Sequence, residues 1–102
     1  MGVLIVETPL GESLHLRKMF TVYVLKSKAH NFHYIGHTQD INTRLKTHNY
    51  GKVRSTKGYR PYDIIYTEEY TTKSEAYKRE MYLKTGAGNI WLRNMLKDQG
   101  LW

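Results

Sequence analysis

The sequence predicts an α/β (α+β) domain: a small three-stranded, mainly antiparallel sheet with helices packed against it, in the order β-β-α-β-α-α. Three observations carry this. The chain has 102 residues, enough for one small domain and too few for two. Three runs rich in β-branched and aromatic residues alternate with turn-forming clusters. Capping signatures precede the stretches whose apolar residues recur at helical spacing.

Phe20 to Lys26 reads as the first strand. Ser27 to Asn31 supplies a turn, and Phe32 to His37 follows closely enough to pair with the first strand as a hairpin. Thr38 or Asp40 caps a helix to about Asn49, whose Ile41, Leu45 and His48 share one face. Tyr50 to Pro61 is a loop broken by Gly51 and Gly58. Tyr62 to Tyr70 is the third strand, with Ile64-Ile65-Tyr66 at its centre. Thr72-Lys73-Ser74-Glu75 fits a capping box and opens a helix to about Thr85. Gly86-Ala87-Gly88 is expected to break it before a last helix, about Asn89 to Lys97.

Residues 1–18 read differently. Val3 to Val6 suits a short strand ended by Pro9 and Gly11, and Met19 then opens the alternating part. Two accounts compete: an extension upstream of a start at Met19, or an added edge strand. The first is preferred, and the domain is placed at residues 19–102.

Sixteen Lys+Arg stand against nine Asp+Glu, a net charge of +7. The first eighteen residues sum to zero, so the excess falls on the rest. A small basic domain is drawn to polyanions, nucleic acid above all. Nine tyrosines interleaved with the basic residues suit base stacking as well as core filling. Lys52, Arg54, Lys57 and Arg60 crowd one loop and are the candidate phosphate contacts. The absence of cysteine excludes disulfides, thiolate zinc sites and cysteine nucleophiles. His30, His33, His37 and His48 lack the spacing of a helical zinc pair. No apolar run is long enough for a membrane span and no secretory signal is visible, so a soluble cytoplasmic protein is expected.

Phosphodiester hydrolysis usually needs a divalent metal, and hard cations need oxygen ligands. Of the carboxylates, Asp40 and Glu75 are assigned to caps, and Glu68 and Glu69 adjoin a strand end. Glu80 is left in mid-helix, on or beside the packed face. Its plain explanation is an i,i+4 pair with Lys84 or a partner across the fold. Arg44 and His48 share one helical face and suit a phosphate, unless that face is merely solvated. Tyr23 and Tyr34 suit a core whose hydroxyls bond at its edge, and Gly36 marks a bulge or a close approach.

Order and spacing say more than any residue alone. Thr21-Val22-Tyr23, followed by Tyr34-Ile35-Gly36, resembles the paired strands of the GIY-YIG nuclease family. Arg44 follows Gly36 by eight residues, His48 follows Arg44 by four, and Glu80 lies 36 beyond Arg44. Asn49-Tyr50-Gly51, Arg60-Pro61 through Tyr66, and Ser74-Glu75-Ala76 echo the small stand-alone members. The resemblance covers residues 20–97. It departs from the family at Thr21 and Val22, at His37 where several members carry Lys, and at Asn89, whose spacing from Glu80 is short.

The resemblance implies a metal-dependent endonuclease, with DNA favoured over RNA and a place in repair or recombination. It implies Tyr23, Tyr34, Arg44, His48 and Glu80 as catalytic residues. Glu80 would hold Mg2+ or Mn2+, Tyr23 or Tyr34 would position the attacking water, Arg44 would balance phosphate charge, and His48 would contact phosphate or move a proton. His37 joins the basic loop as a nucleic-acid contact. No added DNA-binding module is visible, so a targeting protein partner is a natural complement. The rival reading is a non-catalytic module on the same fold, binding nucleic acid or a partner.

Overall fold

A computed structural model describes residues 2–5 and 18–102. Its elements are β1 (Gly2–Ile5), β2 (Phe20–Ser27), β3 (His33–Thr38), α1 (Ile41–Asn49), a 3-10 turn (Lys57–Tyr59), β4 (Tyr62–Tyr70), α2 (Lys73–Leu83) and α3 (Gly86–Asp98). From Phe20 onward this is the expected order, and β2 pairs antiparallel with both β3 and β4. The sheet also has a fourth strand. β1 lies parallel to β4, Gly2 opposite Tyr66 and Ile5 opposite Glu69, giving the order β1-β4-β2-β3. Val6, Pro9 and Gly11 lie outside the described residues.

Alternation along β2 builds two layers. Val22 and Val24 join Ile35, Tyr66, Ala76, Leu83, Leu92 and Leu96 in a core between the sheet, α2 and α3. Tyr23 and Leu25 face the other way and, with Tyr62, pack against Ile41 and Leu45 of α1. The helix starts follow local chemistry. The Asp40 carboxylate accepts the Thr43 N–H at 3.1 Å and its hydroxyl at 2.8 Å. Thr72 Oγ1 accepts the Glu75 N–H at 3.2 Å and donates to the Glu75 carboxylate at 2.8 Å.

One expectation is corrected. Gly86-Ala87-Gly88 is the first turn of α3 rather than a break. Thr85 Oγ1 caps it by accepting the Gly88 N–H at 3.1 Å. Gly88 is there for close approach: a Cβ would stand 2.0 Å from the Tyr82 carbonyl oxygen. Asn89, in that turn, donates to the Leu83 carbonyl at 3.4 Å. Glu68 and Glu69 lie near the end of β4, as expected, and Glu68 is fully buried. Arg79 of α2 grips it with Nε at 2.8 Å and Nη2 at 3.1 Å, and the hydroxyls of Tyr66 and Tyr70 donate at 2.6 and 2.7 Å. Burial alone would raise this carboxyl's pKa, but Arg79 and the two hydroxyls outweigh it and hold the carboxyl low.

Candidate active site

The site forms where β3, the open edge of the sheet, meets one residue from β2 and the facing sides of α1 and α2. Tyr34 and Gly36 sit opposite Leu25 and Tyr23, on the face covered by α1. His37 sits opposite Val22, on the face covered by α2. The edge strand therefore presents residues to both layers at once.

On the α1 side, Tyr23 is buried and its hydroxyl lies 3.0 Å from His48 Nε2. Arg44 Nε donates to the same hydroxyl at 3.4 Å. One helical turn separates Arg44 from His48, so α1 delivers both to one tyrosine. Gly36 leaves room for that hydroxyl: a Cβ there would meet Tyr23 Oη at 2.6 Å and Tyr34 Cε2 at 3.1 Å. The sequence allowed a bulge or a close approach at Gly36, and it is the approach of a tyrosine. The Tyr34 ring centroid lies 6.3 Å from that of Tyr23 and 5.0 Å from that of His48. His48 Nδ1 is 2.8 Å from Thr56 Oγ1, so both ring nitrogens are engaged in a fully buried ring.

On the α2 side, Glu80 Oε1 is 2.6 Å from His37 Nδ1, and Lys84 Nζ donates to Oε2 at 2.6 Å. Both plain explanations for Glu80, the i,i+4 lysine and a partner across the fold, are thus present together. The same ammonium stands 5.8 Å from the Tyr34 ring centroid and links the two halves of the site. His37 also lines a shallow pocket with Phe20, Thr38, Gln39 and Lys73, so solvent reaches this pair.

Burial raises the Tyr23 pKa, while the Arg44 hydrogen bond and charge pull against it and the Glu80 charge adds to it. Arg44 is held above its ordinary value, first by its bond to Tyr23. Burial, aided by the Arg44 charge, lowers His48 to about 4, so its ring is neutral near pH 7. Among the described residues there is no group of three or more His, Cys, Asp or Glu that could hold a metal. Among the described residues, Glu80 alone offers a carboxylate at the site.

Tyr23, Tyr34, Arg44, His48 and Glu80 are therefore brought together. His37 joins them through Glu80. Lys52, Arg54, Lys57 and Arg60 are exposed on the segment between α1 and β4, and Arg60 Nη1 donates to the Lys57 carbonyl at 2.7 Å. That segment also carries Thr56 into the site, a residue with no signal in a stretch that lacks any period. Lys84 was visible only as a helical partner for Glu80.

Comparison with known proteins follows the same lines. Residues 19–94 match the sequence model of the GIY-YIG catalytic domain. A UPF0213 protein of Staphylococcus epidermidis is 46% identical over 65 residues, covering 63% of this chain and 78% of that one. The UPF0213 protein YazA of Bacillus subtilis is 44% identical over 63 residues, 61% of this chain and 63% of that one. The solution NMR structure of a UPF0213 protein from Bacillus halodurans is 29% identical, covers 76% of this chain and 84% of that one, and superposes with a TM-score of 0.47. No helix among the described residues is long and apolar enough to cross a membrane. The match from Met19 into α3, residues 19–94, makes this chain a member of the GIY-YIG family.

Proposed function

We propose that the chain is a metal-dependent endonuclease that hydrolyses nucleic-acid phosphodiester bonds, with DNA favoured over RNA. GIY-YIG domains are generally endonucleases, and the observation that supports the reading here is the convergence of two tyrosines, an arginine, a neutral histidine and a glutamate on one sheet edge. The Arg44 guanidinium would bind the scissile phosphate and balance its growing charge. The Tyr23 or Tyr34 hydroxyl would position the attacking water and help take its proton. His48 is buried with both nitrogens engaged, which favours proton transfer through Tyr23 over phosphate contact. Lys52, Arg54, Lys57 and Arg60 would hold the flanking backbone.

Glu80 would hold the metal, Mg2+ or Mn2+. Its donor chemistry fits: a hard carboxylate suits these ions, and Mg2+ is commonly bound by one or two carboxylates with waters and substrate phosphates. Lys84 must leave Oε2, which a side chain 42% exposed can do. When bound, the ion polarises the phosphate and stabilises the leaving oxygen. One observation favours the rival reading of a non-catalytic module: both Glu80 oxygens already have cationic or hydrogen-bonding partners.

The full chain is incubated with single-stranded, duplex, flap and branched DNA and with RNA, in Mg2+, Mn2+ or chelator. Metal-dependent cleavage is expected on at least one DNA. Glu80→Ala should abolish it while metal-free DNA binding holds or tightens, because a negative charge leaves a phosphate-facing surface. Arg44→Ala should lower both cleavage and binding. A Glu80→Ala chain that keeps its fold and cleaves undiminished refutes the one-metal reading. No cleavage of any substrate by the native chain favours the module.

A further inference from the structure

We propose that Thr56 is a positioning residue: its hydroxyl fixes His48 as the Nδ1–H tautomer and leaves Nε2 bare toward Tyr23. The proposal rests on the endonuclease reading for the reaction it serves, not for the tautomer itself.

The argument is a count of hydrogens. Thr56 Oγ1 lies 2.8 Å from His48 Nδ1 and donates to the Val53 carbonyl at 3.3 Å. A hydroxyl has one hydrogen to give. The Val53 carbonyl also takes the Thr56 and Lys57 N–H groups, so the deciding count is at Tyr23. Its buried hydroxyl accepts from Arg44 and, among the described residues, has no acceptor for its own hydrogen but His48 Nε2. The ring proton therefore sits on Nδ1, and Thr56 Oγ1 accepts it. A neutral imidazole has one N–H, so Nε2 is then an acceptor, and it faces the Tyr23 hydroxyl at 3.0 Å. Tyr23 donates there and keeps its oxygen lone pairs for Arg44 and for a water. The opposite tautomer would spend the His48 proton on Tyr23 Oη and occupy a lone pair the water needs.

Thr56 is itself held in place. It is fully buried, its N–H donates to the Val53 carbonyl at 3.1 Å, and its own carbonyl accepts the Tyr62 hydroxyl at 2.7 Å. No solvent can replace its hydroxyl on the ring. The segment that exposes the basic side chains therefore also sets a proton inside the site.

The chemistry balances. The water oxygen bonds to phosphorus, the leaving P–O bond breaks, and the leaving oxygen takes up a proton from solvent. The water proton passes to Tyr23 Oη as the Tyr23 proton passes to His48 Nε2. Burial disfavours the resulting imidazolium, which returns its proton through Tyr23 to solvent.

The test uses the full chain with nitrogen-15-labelled histidine. Imidazole nitrogen shifts at pH 7 report which ring nitrogen of His48 carries the proton. The native chain and Thr56→Ser should both show Nδ1–H with a bare Nε2. Thr56→Val keeps the shape but removes the hydroxyl, and should move the proton toward Nε2. Cleavage should fall roughly 10- to 100-fold in Thr56→Val, part of what positioned acid–base catalysis contributes, and recover in Thr56→Ser. A purely structural Thr56 predicts a lower melting temperature with an unchanged tautomer, which overturns the proposal. So does a native ring protonated at Nε2. If Thr56→Val fails to fold, the native and Thr56→Ser ring signals still decide. If the native chain cleaves nothing, the endonuclease reading fails, while the ring signals decide the tautomer independently.

Discussion

Replacing Gly36 by alanine probes the site where it is tightest. The new Cβ would stand 2.6 Å from Tyr23 Oη, 2.7 Å from Cζ and 3.1 Å from Tyr34 Cε2, whereas ordinary contact begins at 3.4 Å. The Tyr23 hydroxyl must therefore recede by about 0.8 Å, the gap between 2.6 and 3.4 Å. It has little freedom to do so, because the ring is only 1% exposed and packs beside His48, Leu25 and Tyr62. Receding disturbs the 3.0 Å contact with His48 and the 3.4 Å bond from Arg44. Overpacking of this kind costs about 1–3 kcal/mol. Each kcal/mol lowers the melting temperature of a domain this size by about 4–8 °C. A catalytic group misplaced by close to 1 Å loses on the order of 10²-fold in rate. Thermal melts and cleavage assays read the two effects, with Gly58→Ala as the control, since a Cβ there meets nothing within 4 Å. A Gly36→Ala chain that melts and cleaves like the native one would show that the Tyr23 position does not depend on this glycine.

Changing Lys52, Arg54, Lys57 and Arg60 together to alanine should flatten the slope of log affinity against log salt by about two or more, at roughly 0.7–0.9 per phosphate contact. An unaltered slope removes the segment from the interface. Acid should also act through His48, whose pKa falls from 6.5 to about 4 on folding. The unfolded chain then binds a proton that the folded chain refuses. Stability is full above about pH 6.5 and declines toward about pH 4, by about 3 kcal/mol at 1.4 kcal/mol per unit. His33, lowered to about 4 by burial and then the Lys26 charge, adds in the same direction. A urea midpoint that stays constant from pH 7 to about 4.5 contradicts this linkage. A chain beginning at Met19, where the family match starts, should keep its fold and lose only the β1–β4 pairing. A loss above about 2 kcal/mol, the scale of a large buried side chain, would assign residues 1–18 to the core.

Elements with short-range causes were legible in the sequence. Asp40 and the Thr72–Glu75 box announce their helices because a cap is made within three residues. The motif residues could be found because their spacing is fixed by the pairing of β2 with β3 and by one turn of α1. Gly88 misled because glycine marks both a broken helix and a close approach, and only the Tyr82 carbonyl beside it separates these. Glu68 was readable in part: Tyr66, Glu68 and Tyr70 recur at period two and so share one strand face, a polar stripe that must find partners if buried. Its partner Arg79 comes from another element, eleven residues away. Thr56 gave no signal, because its role is set by a ring eight residues back in a different structure type.

The Glu68–Arg79 clasp has a consequence for the next residue along. Arg79 holds α2 to β4 by a two-pronged bond and lies 4.9 Å from the Trp91 ring centroid of α3. A helix held at one such point cannot easily spin about its axis. Side-chain tips ride about 5–6 Å from that axis, so a spin of about 20° would sweep the Glu80 carboxylate through about 2 Å. Working geometries tolerate about 0.5 Å, which leaves α2 an angular play of about 5°. The buried ion pair thus acts as a locking pin, and its loss would free α2 to misaim Glu80.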